Sequence, residues 1–298
     1  MTYSVSIIGN PAFDFIELPK QKPTRVLSGF VFNSAMILTK MGVKTNIIAK
    51  VGKQYAKDFY KKLIKYRISI SNLITAYIST GFHVRYDEEG NRTLYFLGDA
   101  GKIHESDIPK EFFESDAVLI GPLLQEISLE TLQYLAANSP FSLLDPQGLL
   151  RRINEDGMVE SLTIKDANPF LHDIDILKLT GEEALLMANS RHIEKALEIL
   201  SGICKTVIIT LAEKGSVVYY QEEICRIPAY PVHLKDPTGA GDVYAAGFIY
   251  EYLKTGDPVK SGFFASAASS FMVENMGMNY KINEEMIRER VEKMIEVM

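Results

Sequence analysis

The residues best suited to chemistry are Asp236-Pro237-Thr238-Gly239-Ala240-Gly241-Asp242, about four-fifths of the way along the chain. Asp236 and Pro237 favour a turn, because proline fixes φ and pushes its predecessor out of the helical region. Thr238 is a candidate N-cap, and the small and apolar residues from Ala240 onward predict a helix. Gly239 and Gly241 leave the backbone uncovered where that helix begins. The N–H groups of Gly239, Ala240 and Gly241 and the positive dipole end then face one point, which suits a phosphate oxygen. Asp242 sets a proton-accepting carboxylate beside it. An anion hole next to a carboxylate base is what phosphoryl transfer to a hydroxyl requires. Gly-Ala-Gly alone fits an ordinary loop entering a buried helix, with Asp242 complementing its dipole; the longer string is far more specific.

Such a string must be held by a core, and the chain has material for one. It has 298 residues, 47% hydrophobic and 23% charged, as a globular protein of one or two domains would. The net charge is -6 with Lys and Arg scattered, which argues against a nucleic-acid binder, whose footprint is a basic stripe. No apolar run is long enough to span a membrane; the longest, 262–273, carries serines and reads as a buried helix. The N-terminus lacks a basic region and a cleavage site, and Cys204 and Cys225 have no metal-ligand spacing, so a reducing cytoplasm is the expected setting. The five histidines show no metal spacing, there is no Walker A string, and no Gly-x-Gly-x-x-Gly follows the first strand. That last absence sets a nicotinamide-dependent oxidoreductase aside.

Apolar strands at 5–8, 44–51, 117–121, 141–144, 174–179 and 206–210 alternate with helical patterns at 30–41, 54–66 and 129–137. This is the doubly wound α/β pattern, in which loops at the strands' C-terminal ends meet ligands. Asp14 follows the first strand and is placed to meet a substrate or to be a solvated turn residue. Between 74 and 97 the alternation breaks into strands without helices, with Glu88-Glu89-Gly90-Asn91 as a hairpin turn. Arg85, Arg92 and Tyr95 there are either substrate contacts or exposed hairpin residues. Asp145 and Arg151 stand in the loop after the strand at 141–144; Asp145 suits a loop-ordering role and Arg151 suits a phosphate. Thr180 and Glu183 satisfy a capping box. The segment 282–298 is an amphipathic closing helix.

The string ending in Asp242 resembles the C-terminal signature of the PfkB (ribokinase-like) carbohydrate kinases. In that family the aspartate matching Asp242 is the catalytic base, and the amides matching Gly239, Ala240 and Gly241 form the anion hole. The family's paired glycines, with an asparagine four residues later, match Ser28-Gly29 and Asn33, with serine in the first place. Glycine there lets a sugar approach the backbone, so Ser28 reshapes the pocket; Asp14, Gly29 and Asn33 are implied to hold acceptor hydroxyls, with Arg151 also on the substrate. Asp145-Pro146-Gln147-Gly148-Leu149-Leu150-Arg151 looks like the branch that includes inositol kinases. The family's Asn-x-x-Glu motif, whose glutamate orients magnesium through water, matches Glu183, with Thr180 replacing the asparagine. Its Thr-Leu-Gly-x-x-Gly nucleotide loop matches Thr210 and Gly215, with Ala212 in the first glycine's place. ATP is implied to lie along this loop, Thr238 and Gly277.

The resemblance runs through the whole chain and implies one ribokinase-like domain, 1–298. Its fold would be a doubly wound, mostly parallel sheet with a small β-strand lid from about 14–28 and 74–98. In relatives such a lid closes on the sugar and often forms a homodimer contact. The expected activity is ATP- and Mg2+-dependent phosphorylation of a small sugar or polyol such as myo-inositol or ribose. A nucleoside, a 2-keto-3-deoxy sugar acid or a sugar phosphate are alternative acceptors. The departures at Ser28, Thr180 and Ala212 motivate an alternative of another class, a non-catalytic sugar- or nucleotide-binding regulatory relative.

Overall fold

A computed structural model describes residues 3–89, 92–164, 171–275, 277 and 280–296. In chain order the strands begin with β1 (Ser4–Ile8), β2 (Ala12–Glu17), β3 (Thr24–Ser28), β4 (Lys44–Gly52) and β5 (Leu73–Ala76). Next come β6 (Gly81–Tyr86), β7 (Arg92–Gly98), β8 (Ala117–Ile120), β9 (Ser142–Leu144), β10 (Arg151–Ile153) and β11 (Val159–Ser161). The last are β12 (Ile176–Thr180), β13 (Thr206–Thr210), β14 (Ser216–Tyr220) and β15 (Glu223–Ile227). The helices are α1 (Phe30–Lys40), α2 (Lys53–Lys65), α3 (Leu129–Asn138), α4 (Gly181–Met187), α5 (Ile193–Ser201), α6 (Ala240–Thr255), α7 (Pro258–Val273) and α8 (Glu284–Glu296).

Nine strands form one sheet in the order β15-β14-β13-β12-β9-β8-β1-β4-β5. It is parallel from β5 to β13 and ends in the antiparallel β14 and β15. Helices cover both faces, which is why these strands read as unbroken apolar runs. Ile7, Leu119 and Leu143 pack with α1, α2, α6, α7 and α8, while their neighbours Ile8, Ile120 and Leu144 pack with α3, α4 and α5. The strand at Ile74, expected to open the small sheet, instead pairs with β4 at the edge of the large one. Its short run follows α2 and completes another strand–helix–strand unit, and the chain returns to the small sheet only at Gly81.

The small sheet has the order β3-β2-β6-β7. Its pairing register sorts its side chains. Ala12 lies opposite Ser28 and Asp14 opposite Val26, Ile16 opposite Val84, Leu94 opposite Val84, and Arg92 opposite Tyr86. Ala12, Asp14, Ile16, Val26, Ser28, Phe82, Val84, Leu94 and Arg92 line a common cavity. Arg85 and Tyr95, one residue out of phase, belong to the other face, where Arg85 pairs with Glu17 at 3.2 Å. Neither is the substrate contact the sequence allowed. Gly90 and Asn91 of the expected hairpin turn lie outside the described residues, although the antiparallel pairing of Tyr86 with Arg92 is observed. A ribbon of β10 and β11 extends this sheet, with the Phe96 amide donating to Gly157 O at 2.8 Å.

Candidate active site

The ends of β9 and β12, the starts of α1 and α6, and the small sheet enclose a cavity of about 1090 Å³. Ten of the sequence-predicted site residues line it: Asp14, Gly29, Asn33, Arg151, Glu183, Thr238, Gly239, Gly241, Asp242 and Gly277. Ala240, Thr210, Ala212 and Gly215 are not in its lining. Thr210 sits one strand further out, paired in register with Thr180, which does line the cavity.

At its centre is the start of α6. Asp236 Oδ1 accepts the Thr238 amide at 2.9 Å, an Asx-type turn that brings the chain round. The N-cap is Gly239, with no side-chain cap, rather than the expected Thr238. Gly239 has φ 82, and a Cβ there would meet Asn33 Nδ2 at 2.8 Å, so this turn excludes side chains. The Ala240 amide bends back to Pro237 O at 3.2 Å. The amides of Gly239 and Gly241 have no hydrogen-bond partner among the described residues. Two free N–H groups thus face the cavity at the positive end of a 16-residue helix.

Asp242 is 8% exposed. Its Oδ2 accepts Asn33 Nδ2 at 2.8 Å, and its backbone carbonyl accepts the Ser34 hydroxyl at 3.2 Å. Asn33, expected to hold an acceptor hydroxyl, lines the cavity and spends one of its two amide protons on Asp242 from α1. Burial lifts the Asp242 pKa to about 6, with Asp145 adding to the rise and Asn33, Lys178 and Arg151 restraining it. A carboxylate tuned towards neutrality, with Oδ1 free, can take a proton from a hydroxyl.

Beneath this point lies a residue the sequence reading passed over. Lys178 and Asp145 are each 2% exposed and bond at 2.6 Å. The register causes this: β9 ends at Leu144 opposite Leu177, so the next residue on each parallel strand meets its neighbour. A Cβ on Gly241 would stand 2.7 Å from Lys178 Nζ, so the second glycine admits the ammonium to the helix start. Burial opposes its charge, but the Asp145 pairing prevails and raises its pKa. The signal was available: a lysine inside the apolar run 174–179 is not buried without a partner.

Glu183 closes the predicted capping box, its Oε2 accepting the Thr180 amide at 2.8 Å while Thr180 Oγ1 accepts the Glu183 amide at 3.3 Å. Burial and the nearby Asp145 raise its pKa, and its second oxygen is left for a ligand. Among the described residues the Arg151 side chain makes one hydrogen bond, from Nη1 to Leu123 O at 3.2 Å, and has no ion-pair partner. Burial lowers its pKa and Arg92 lowers it further, while Glu183, Asp145 and Asp242 oppose the shift. At the far wall, Asp14 Oδ1 accepts the Phe82 amide at 3.0 Å and Oδ2 the Ser28 hydroxyl at 2.5 Å. Burial brings its pKa to about 6 against these bonds and the charges of Arg151 and Arg92.

Outside the cavity, Ala212 adopts φ 52, a left-handed conformation that suits glycine. Gly215 packs where a Cβ would come 2.0 Å from Ile227 O. No group of three or more His, Cys, Asp or Glu side chains among the described residues is placed to hold a metal directly. No helix among the described residues is long and apolar enough to cross a membrane.

Comparison with known proteins agrees with this geometry. The pattern of the pfkB family of carbohydrate kinases matches residues 17–285. A nucleoside kinase of Methanocaldococcus jannaschii is 27% identical, the match covering 97% of each chain. An inositol 3-kinase of Arabidopsis thaliana is 26% identical over 92% of this chain and 74% of its own. A solved structure of a pyrophosphate-dependent kinase in the ribokinase family, complexed with a pyrophosphate analog and myo-inositol, superposes with a TM-score of 0.83. That match covers 97% of this chain and 99% of the other at 22% identity, and shows the shared ribokinase fold. The chain belongs to the pfkB family of carbohydrate kinases and is a phosphotransferase with a hydroxyl acceptor.

Proposed function

We propose that this kinase transfers the γ-phosphoryl group of ATP to a hydroxyl of a small polyhydroxylated acceptor, with Asp242 as the general base. The observation that carries the reading is Asp242 itself: a buried carboxylate of pKa about 6, one oxygen free, beside the unpartnered Gly239 and Gly241 amides. The acceptor hydroxyl gives its proton to Asp242 Oδ1 as its oxygen attacks the γ-phosphorus, and the bond from that phosphorus to the bridging oxygen breaks to release ADP. The two amides and Lys178 Nζ stabilise the charge on the phosphoryl oxygens. Magnesium, held through water by Glu183, would neutralise phosphate charge. Asp14, with Gly29 and Arg151, would hold the acceptor's other hydroxyls, and the small sheet would act as the lid. The nucleotide would extend from Thr238 and Gly277 towards the Thr210–Gly215 loop.

One observation favours a nucleoside over a plain polyol. The cavity face of the small sheet carries an apolar patch, Ile16, Val26, Phe82, Val84 and Leu94, beside Asp14, Ser28 and Arg92. A polyol would leave that surface without an apolar partner, whereas a nucleoside offers a diol at one end and a flat base at the other. The test is donor consumption by purified protein with magnesium against nucleosides, myo-inositol, ribose, 2-keto-3-deoxygluconate and sugar phosphates. ATP and pyrophosphate serve as alternative donors, because the structural neighbour named above uses pyrophosphate. Turnover with nucleosides, lost in Asp242→Asn, is the expected result. Turnover confined to a polyol would reject the nucleoside reading, and ATP and acceptor binding without turnover would favour a regulatory relative.

A further inference from the structure

Ser28 replaces a glycine of the family pattern, and its environment explains more than a loss of space. It is 8% exposed, lines the cavity, and stands on β3 opposite Ala12, so that Asp14 is its diagonal neighbour on the same face. Its hydroxyl donates to Asp14 Oδ2 at 2.5 Å, while the Phe82 amide holds Oδ1. The carboxylate is therefore fixed at both oxygens from two different strands.

We propose that Ser28 is the positioning residue that makes the Ser28–Asp14 pair a hydrogen-bond acceptor on this wall of the pocket, selecting an acceptor molecule that presents a pair of hydroxyl donors. This rests on the kinase reading above. A hydroxyl has one proton, and that of Ser28 is committed to Asp14. To a ligand, Ser28 Oγ then offers only lone pairs, as do the remaining lone pairs of Asp14 Oδ1 and Oδ2. A carbonyl, ether or carboxylate oxygen placed against the Ser28–Asp14 pair would meet acceptor lone pairs; a vicinal diol would be matched at both oxygens. With glycine, the carboxylate would lose one anchor and would be free to turn.

The bond also acts on protonation. Asp14 titrates near 6, held up by burial and held down by Ser28, the Phe82 amide, Arg151 and Arg92, the groups that face it from β3, β6, β10 and β7. Removing the hydroxyl takes away the largest of these restraints, so the carboxyl protonates at higher pH and becomes a donor where the ligand needs an acceptor.

The test uses full-length wild type, Ser28→Ala and Ser28→Thr, the last keeping the hydroxyl. Two quantities are read: KM and kcat for the best acceptor across pH 5–8, and the Asp14 carboxyl titration by carbon-13 NMR, assigned with Asp14→Asn. In Ser28→Ala we expect KM at neutral pH to rise about tenfold with kcat within about threefold, the scale of one hydrogen bond to a charged group. The acidic limb of the KM profile and the Asp14 midpoint should both move towards neutrality, and Ser28→Thr should restore them. An unmoved midpoint in Ser28→Ala overturns the proposal, as does a moved midpoint with an unchanged KM. If the wild type turns over no acceptor, the kinase reading is what fails. The proposed hold of Ser28 on Asp14 is then decided by the NMR midpoint alone.

Discussion

Replacing Asp242 with asparagine should damage the reaction and strengthen the fold, in amounts the structure sets. The side chain is buried and its pKa stands near 6 against an ordinary 3.8. Because the folded value is raised, the stability linked to this group is fully present below its unfolded pKa and is lost as pH rises through about 6. A rise of roughly two pK units corresponds to a burden of about 3 kcal/mol at pH 7. Asparagine keeps a carbonyl oxygen for Asn33 Nδ2 and removes the buried charge. For a chain of this length, Asp242→Asn should therefore raise Tm by about 5 °C at pH 7. The gain should shrink through pH 5 and vanish near pH 4, where the wild-type carboxyl is already neutral. Thermal unfolding of both proteins at these pH values, read as a difference, isolates the one group. The same variant should lose about 10²–10⁴-fold in kcat. A Tm difference independent of pH would refute the electrostatic account, and retention of more than about a tenth of the activity would refute the assignment of the base.

Two further outcomes follow from the same site. Burial raises Asp14 and Asp242 to about 6, and the proposed mechanism uses both ionised, so log kcat/KM should fall with a slope approaching two below that pH. At pH 5 it should stand about 100-fold under its plateau, and a slope of one would mean that only one carboxylate matters. Lys178→Met leaves Asp145 buried without its partner and should cost about 3–5 kcal/mol in denaturant unfolding. Adding Asp145→Asn should return most of that loss, and failure to do so would show that the lysine stabilises through something other than the pair.

The parts of this site legible in the sequence are those where local chemistry and fold agree. Gly239, Gly241 and Asp242 could be read because a turn, an uncovered helix start and a carboxylate follow one another within a few residues. The Thr180–Glu183 box was legible for the same reason, since its partners are three residues apart. Lys178 was missed because its meaning lies in Asp145, 33 residues earlier, and only the parallel register of β9 with β12 joins them. The bond from Asn33 to Asp242 likewise spans 209 residues. Arg92 and Arg85 carry the same charge on neighbouring strands of one hairpin, and only the pleat decides which faces the cavity. The strand at Ile74 was misplaced because a short edge strand and a hairpin strand have the same composition.

The three departures from the family pattern bear on whether this chain is a catalyst at all. Thr180 keeps the helix cap and leaves Glu183 in the cavity lining, with its Oε2 on the Thr180 amide. Ala212 places a methyl group at φ 52, a strain of about 1 kcal/mol, in a loop that does not line the cavity. Ser28 adds a bond to Asp14 without closing the pocket. None of the three touches Asp242, the free amides of Gly239 and Gly241, or the Lys178–Asp145 pair. A chain released from catalysis would have little reason to keep a carboxylate buried at a cost of about 3 kcal/mol, when asparagine would fit the same hydrogen bond and remove the charge. The retained burden at Asp242 therefore argues for a working kinase more strongly than the departures argue against one.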